Sequence, residues 1–450
     1  MKRNHRIWAG TACVCLILLA GCGSRQKETG QGVHQSSGML TIDGSEIGLG
    51  SESIENSLPK SNAEAKNPGT STLSQQTGYI APQGTEDNAE KYSSRTDLKQ
   101  ERERAGLTDA AVERRMRQQA GHYYYDTLEE GKRKLYTELL MIMELHAENI
   151  LISTTDADAL QEVFFCVFQD HPELFWVDGY AYRRYNSGSD SYYTFSGKYT
   201  YTAEECAAYQ PLIDSYVSNC LKEMPFGGRE YDTVKYVYEY VISNTDYVLK
   251  ARDNQNILSV FVYGESVCQG YAKAVQYLLQ QAGVSCTMVV GKVGEGEGHA
   301  WNLVNIDGAY YYVDATWGDA GYLAAEGGGS GLKDGISYNY LNITTDEILR
   351  THKIDNVLPL PYCIHTEANY FVREGTMFTA YDRSKLSGLF SEAAQSGERC
   401  VNIKCGSEAV YNAFMQNLLQ KQEVFGLMPE GTTSVDYMTD DDLYTICFWF

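Results

Sequence analysis

The chain has 450 residues, 37 Lys and Arg against 59 Asp and Glu, and a formal net charge of −22. The acidic balance argues against nucleic-acid partners, because few cations are available to displace counterions from a phosphate backbone. With 43% hydrophobic and 21% charged residues, the composition excludes a collagen, a coiled coil and a multi-span membrane protein, and the length suits two or three globular domains.

In chain order, Lys2, Arg3, His5 and Arg6 make a basic start, followed by a short apolar run over 11–20 (TACVCLILLA). The run is about half the ~20 residues that a spanning helix needs. It therefore reads as an export signal. Leu19-Ala20-Gly21-Cys22 resembles the bacterial lipobox, which implies lipidation at Cys22 as the first residue left after loss of residues 1–21, Cys13 and Cys15 included. An ordinary signal peptide with an incidental Cys is the plainer alternative. Double acylation would hold the chain at a membrane surface, where one acyl chain binds only marginally. The expected location is extracytoplasmic, anchored by lipid to the bacterial cell membrane.

Residues 23 to about 105 lack Cys, Phe and Trp and show no sustained periodicity, which predicts a flexible tether. The charge-dense stretch 94–118 predicts a solvated helix at its end. Only Trp8, Tyr79 and Tyr92 of the aromatics precede His122, so the folded part is expected to begin there. The expected organisation is a signal over 1–22, a disordered tether over 23–120, and a helical and hairpin region over 121–228. A core follows over 229–368, and a small α/β unit over 369–450. Helices are predicted over 128–149, from Asp156 to Phe168, and over 203–223 and 230–243. Alternating aromatics over 179–201, broken at Asn186-Ser187-Gly188, predict a hairpin.

The chemistry sits in 264–317. Cys268 stands at the start of a predicted helix, where unpaired N–H groups and the positive dipole end favour a thiolate and can serve a developing oxyanion. Strands follow over 286–293, 299–306 and 310–315, the last two joined by Asp307-Gly308, a strong hairpin signal. With those two as the turn, Trp301 faces Asp314 and His299 faces Thr316. His299 and Asp314 then share a face as diagonal neighbours, roughly 7–8 Å apart at Cα. A turn one residue longer would put them on opposite faces. Cys, His and Asp are the parts of a thiol nucleophile with a base and an orienter. His352 and His365 have no partners at metal-ligand spacing and read as structural or surface residues. The loop Glu295-Gly296-Glu297-Gly298 reads as a rim beside His299.

Three blocks carry a resemblance: VCQGYA at 267–272, GHAWN at 298–302 and YVDATW at 312–317. Together they resemble the bacterial transglutaminase-like superfamily, over about residues 120–365. DHPELFW at 170–176 resembles a block upstream of such domains, and YNYL at 338–341 with 346–352 resembles the segment that follows. The resemblance implies an α+β, papain-like core in which the Cys-bearing helix packs on an antiparallel sheet bearing His and Asp. It also implies a triad of Cys268, His299 and Asp314 and an oxyanion donor upstream of the Cys, for which Tyr263 is the candidate. Gly318 separates Trp317 from Asp319, where many members have Asp directly after the Trp. Trp301 and Trp317 are expected to wall the site.

Setting aside Cys13, Cys15, Cys22 and Cys268 leaves eight of the twelve cysteines, expected mostly as free buried thiols. In the tail, strands are predicted over 371–381, 400–405 and 444–450, and helices over 384–394 and 407–422. Asp440-Asp441-Asp442 is expected as a solvated loop. The functional expectation is a cysteine acyl-transfer site acting on protein or peptide amides, by hydrolysis or crosslinking, with no nucleotide, flavin or metal cofactor and no nucleic acid. A non-catalytic binding module at the cell surface is the alternative.

Overall fold

The computed structural model describes residues 35–41, 78–87, 94–187, 190–225, 227–294, 296–319, 336–398 and 400–450. The signal segment, Cys22 and much of the expected tether lie outside them. No helix among the described residues is long and apolar enough to cross a membrane.

The expected tether is interrupted by two strands, β1 (Gln35–Thr41) and β2 (Gln83–Asp87). Each is an edge strand, added antiparallel to 434–440 and parallel to 179–183 respectively. Main-chain hydrogen bonds hold an edge strand, so no apolar alternation announces it. The stretch 94–118 forms two helices, α1 (Arg95–Arg104) and α2 (Asp109–Met116), started by hydroxyl caps from Ser94 and Thr108. They belong to the fold rather than to a solvated lead, because Leu98, Leu107 and Val112 are buried. Arg102 is buried with them, its Nη2 2.8 Å from Glu138 Oε1 and its Nη1 donating to Leu151 O at 2.7 Å. Glu138 Oε2 accepts from Ser153 N–H at 2.8 Å.

Next come α3 (Tyr123–Thr127), α4 (Glu130–Glu144), β3 (Ile150–Leu151) and α5 (Ala157–Asp170), the last capped by Asp156. The predicted hairpin is β4 (Val177–Ser187) and β5 (Asp190–Tyr199), in a sheet of order β2-β4-β5-β3. Asp170 locks this layer to the next. Fully buried, it accepts from Tyr124 N–H (3.3 Å), Tyr125 N–H (3.1 Å), Tyr136 Oη (3.0 Å) and Thr287 Oγ1 (3.1 Å). Burial nevertheless raises it to about 6.

α6 (Ala203–Glu223) opens on a Thr202–Glu205 capping box, and α7 (Glu230–Ser243) follows. The short strands β6 (Asp246–Tyr247) and β7 (Glu265–Ser266) flank a π-turn over Ser259–Tyr263 and lead into α8 (Cys268–Gln281). The central sheet has the order β11-β10-β9-β8-β12. Its strands are β8 (Cys286–Val293), β9 (Glu297–Ile306), β10 (Ala309–Val313), β11 (Leu341–Ile343) and β12 (His352–Ile354). α8 lies on β8 and β9, tied by Asn302 Nδ2 donating to Ala272 O at 2.9 Å. This is the expected α+β arrangement with a papain-like core.

The tail forms a sheet of order β1-β15-β16-β14-β13, with β13 (Met377–Phe378), β14 (Cys400–Cys405), β15 (Ser434–Asp440) and β16 (Thr445–Trp449). The strand expected over 371–381 is instead a helical turn, Tyr370–Arg373, capped by Asn369, and then β13. The helix expected over 407–422 divides into Glu408–Phe414 and a π-turn, Met415–Gln420. Asp440 is not solvated: it is buried, its Oδ1 caps the N–H groups of Asp442 and Leu443, and its Oδ2 accepts from Asn339. None of the nine described cysteines is in a disulfide.

Removing one partner of a buried ion pair strands the other charge, at a cost of about 3–5 kcal/mol. Arg102→Ala should therefore lower the free energy of urea unfolding by about 3 kcal/mol. An unchanged unfolding midpoint would mean that α1 is a solvated lead after all.

Candidate active site

Cys268 is the first residue of α8, and Val267 before it provides no side-chain cap. The leading N–H groups of the helix are thus left without a side-chain acceptor. Gly270 allows this turn to seat, because a Cβ there would overlap the Ser266 hydroxyl and come within 2.5 Å of Ser259 Oγ. Tyr271, one turn in, places its hydroxyl 2.6 Å from Asp319 Oδ2 and 3.1 Å from Thr245 O. The inserted Gly318 has its own reason: the Tyr238 hydroxyl, which donates to Ser337 O, fills the space a side chain would need.

The β9–β10 register is the expected one, with Ile306 paired to Ala309 and Asn302 to Val313. His299 and Asp314 meet, with Nε2 2.7 Å from Oδ2. The Cys268 side chain lies close enough to His299 to add to the electrostatic pull on its proton, while Nε2 is taken by Asp314. Cys268 is 1% exposed, His299 3% and Asp314 0%. The three residues singled out in the sequence are therefore brought together, under cover.

Asp314 accepts four N–H groups. Oδ2 takes His299 Nε2 at 2.7 Å and His352 Nε2 at 3.1 Å; Oδ1 takes the backbone N–H of Thr316 at 2.9 Å and of Trp317 at 3.1 Å. Burial opposes the carboxylate, but the His299 charge and these bonds outweigh it and hold Asp314 well below the usual range. Burial likewise opposes a charged His299, yet Asp314 and Cys268 raise it to about 10. His352 goes the other way. Burial is the largest cause and depresses it to about 4, so it stays neutral. Its single proton must face the carboxylate, which leaves Nδ1 to accept from Thr351 Oγ1 at 2.8 Å; Tyr340 Oη donates to that oxygen at 3.2 Å.

His352 is the residue that sequence reasoning assigned no role in the site. It lies on β12, paired to β8 rather than to the His299–Asp314 hairpin, so no local spacing reveals it. The signal available was its place in the YNYL-to-His352 block. His365 is half exposed and pairs with Glu367. Trp301 and Trp317 are buried around the two imidazoles, Trp301 5.8 Å from His299 and 4.9 Å from His352, Trp317 4.5 Å from His352. Tyr263 ends the π-turn; its polar contacts run to Tyr209 Oη at 3.1 Å and to Arg252 over its ring rather than to the triad. The ligand atoms of His299, Asp314 and His352 lie within 4.8 Å of one another. A metal there would have to displace the proton that holds His299 to Asp314, so the geometry suits a shared proton better than an ion.

Burial pushes Cys206 and Cys363 up to about 11, Cys220 and Cys405 to about 12, and Cys166 and Cys286 higher still.

Comparison with known proteins finds a match to the model of the transglutaminase-like superfamily over residues 224–315. The chain is 26% identical over 156 residues to the human Kyphoscoliosis peptidase, a match covering 31% of this chain and 22% of that protein. The chain thus spans about a fifth of that relative's length. Among solved structures it is similar to a TGase (17% identity, 31% of this chain, 50% of that one, TM-score 0.23). It is also similar to a putative cysteine protease from Cytophaga hutchinsonii (12% identity, 30% of this chain, 61% of that one, TM-score 0.21).

Hydrogen bonds to a charged group contribute about 1.5–3 kcal/mol, so His352→Leu should destabilise the protein by about 2 kcal/mol near pH 7.5. A His held at about 4 when folded binds its proton less well than the unfolded chain does, which costs the native state stability as pH falls below 6.5. The variant escapes that cost, so its deficit should narrow between pH 6.5 and 5. His299, raised to about 10, contributes fully below 6.5 and loses its contribution as pH rises through 10. Urea unfolding across pH 5–10 reads both effects; a pH-independent deficit for His352→Leu would contradict the first, and wild-type stability that does not fall as pH rises towards 10 the second.

Proposed function

From a chain that carries a transglutaminase-like superfamily domain over residues 224–315, we propose a cysteine acyl-transfer enzyme acting on peptide or protein amides. What supports the reading is the buried His299–Asp314 bond of 2.7 Å, with Cys268 close to His299 at the head of α8. Cys268 Sγ, having given its proton to His299, attacks the amide carbonyl carbon. The oxyanion that forms is met by the uncapped N–H groups of α8. His299 then donates its proton to the leaving amine, the C–N bond breaks, and a thioester remains. Water activated by His299 completes hydrolysis; an amine in its place gives a crosslink. Peptide hydrolysis is the favoured outcome, in keeping with the peptidase among the relatives. Asp314 keeps His299 oriented and charged, and His352 positions Asp314.

The chain would act at the outer side of a bacterial membrane, held by lipid on Cys22, with a peptide or protein as its partner. The site uses no cofactor in this reading.

Incubation of the full chain with β-casein, with and without hydroxylamine, tests the chemistry. Released peptides are expected, an acyl adduct on Cys268 in acid-quenched intact mass, and hydroxamate when hydroxylamine is present. Cys268→Ala should give none of these, and Asp314→Asn should slow them by about a thousandfold or more. Product formation that survives Cys268→Ala overturns the reading. Inertness on casein and on peptide amides of both the wild type and the Gly78→Ala variant, in which a Cβ drives residue 78 off the Gly298 carbonyl beside His299, would favour a binding module instead.

A further inference from the structure

Cys268 and His299 are 1% and 3% exposed, so a substrate reaches them only where something gives way. One segment is placed to do so. Residues 78–80 run between Gly298, which directly precedes His299, and Gln255. Gln255 adjoins Asn254, whose carbonyl lies 3.5 Å from Ser266 Oγ at the entry to the Cys268 helix. Tyr79 N–H donates to Gly298 O at 2.9 Å. On the other side, Ile80 N–H donates to Gln255 Oε1 at 3.1 Å and Gln255 Nε2 donates to Gly78 O at 3.3 Å. In an extended chain the Tyr79 N–H points one way, and the Gly78 carbonyl and Ile80 N–H point the other. These bonds are therefore those of an extended peptide held between two walls, with the Gln255 amide acting as the edge of a strand.

The fit is specific in two further ways. A Cβ on Gly78 would overlap the Gly298 carbonyl oxygen, and a Cβ on Gly298 would come within 2.8 Å of Tyr79 O. Glycine faces glycine, and no larger residue could replace Gly78 at this depth. The Tyr79 ring packs against the cluster that includes Ala272 of the Cys268 helix and Ala300 beside His299. Burial raises its phenol well above the ordinary range, so the site takes the ring as an apolar body. Downstream, β2 fastens the segment through five paired residues on β4.

We infer that the groove between Gly298 and Gln255 is a binding site for an extended peptide with glycine followed by an aromatic residue, and that residues 78–80 occupy it in cis. This rests on the acyl-transfer reading for its meaning as a substrate groove, and it names the substrate class: Gly-aromatic segments presented as a strand. Being part of the same chain, the strap competes with every substrate and keeps the thiol covered until a better-binding segment displaces it.

The test reads cover rather than turnover, so it stands apart from the test of acyl transfer. Full-length protein is treated with iodoacetamide at pH 7.5, and alkylation of each thiol is followed by peptide mass spectrometry, the other cysteines serving as internal controls. Two variants release the strap from opposite sides: Gly78→Ala, which drives it off Gly298, and Gln255→Ala, which removes both bonds on the far wall. Either should speed labelling of Cys268 at least tenfold and leave labelling of the other cysteines unchanged. A heptapeptide of residues 78–84 added to Gly78→Ala should slow labelling again, and the same peptide with alanine for its glycine should not. Cys268 labelling that is equal in wild type and both variants overturns the inference. So does a peptide effect indifferent to the glycine. If the cover behaves as described but no acyl adduct ever forms, the groove stands as a peptide-binding site and the catalytic reading falls.

Discussion

The site is built around one buried carboxylate. A charge removed from water costs many kcal/mol unless it is met by donors, and Asp314 has four N–H groups on its two oxygens. They arrive from three places: the neighbouring strand β9, the turn that Asp314 itself opens, and β12 at the edge of the sheet. Each source constrains a different part of the chain. The His299 bond requires the two-residue turn at Asp307-Gly308. The Thr316 and Trp317 bonds fix the turn that leads on to Asp319 and its contact with Tyr271. The His352 bond requires β12 to sit beyond β8, across the sheet from the hairpin that carries the other two residues.

That last requirement gives the C-terminal unit a physical part in the site. His352 is held by Thr351 and Tyr340, and Trp301 and Trp317, which wall it, share one hydrophobic cluster with Leu443. Leu443 belongs to the turn between β15 and β16, and Asp440 at the start of that turn takes the side-chain amide of Asn339. Lys404 of β14 lies 2.6 Å from Glu347, just upstream of β12. The appended unit supplies no reacting group. It presses the back of the wall that keeps His352 neutral and aimed at Asp314.

Legibility in the sequence followed how local the cause was. The Cys268 helix, the β9–β10 hairpin and the face shared by His299 and Asp314 follow from periodicity and one turn, all within fifty residues, and they stand where the sequence puts them. β14 and α6 were equally plain, each a continuous pattern with clear ends. What could not be read was set by distant partners. β1 and β2 are edge strands whose sequences look like linker, and they fold because β15 and β4 offer open edges. Arg102 looks like one charge among many in 94–118 and is buried because Glu138 lies opposite. His352 has nothing beside it in sequence that names Asp314 as its partner. Tyr263 was placed by analogy alone, and the π-turn gives its hydroxyl to Tyr209.

The proposed cover on Cys268 bears on what the proposed lipid at Cys22 would do. A segment tied to its own groove competes at an effective concentration on the order of millimolar. A dilute peptide of the same sequence would lose to it almost always. Substrates that succeed must either bind more tightly than Gly78-Tyr79-Ile80 or be held nearby at comparable density. Lipid on Cys22 would supply the second condition, because it confines the enzyme to a surface where other anchored proteins share the same thin layer. On this reading the strap and the lipid act together. The strap would suppress attack on whatever drifts past, and a lipid anchor would raise the local concentration of the few chains that can displace it. An acyl-transfer site at Cys268 would then need no separate inhibitor, since Gly298 beside His299 and the Gln255 amide already hold residues 78–80 in place.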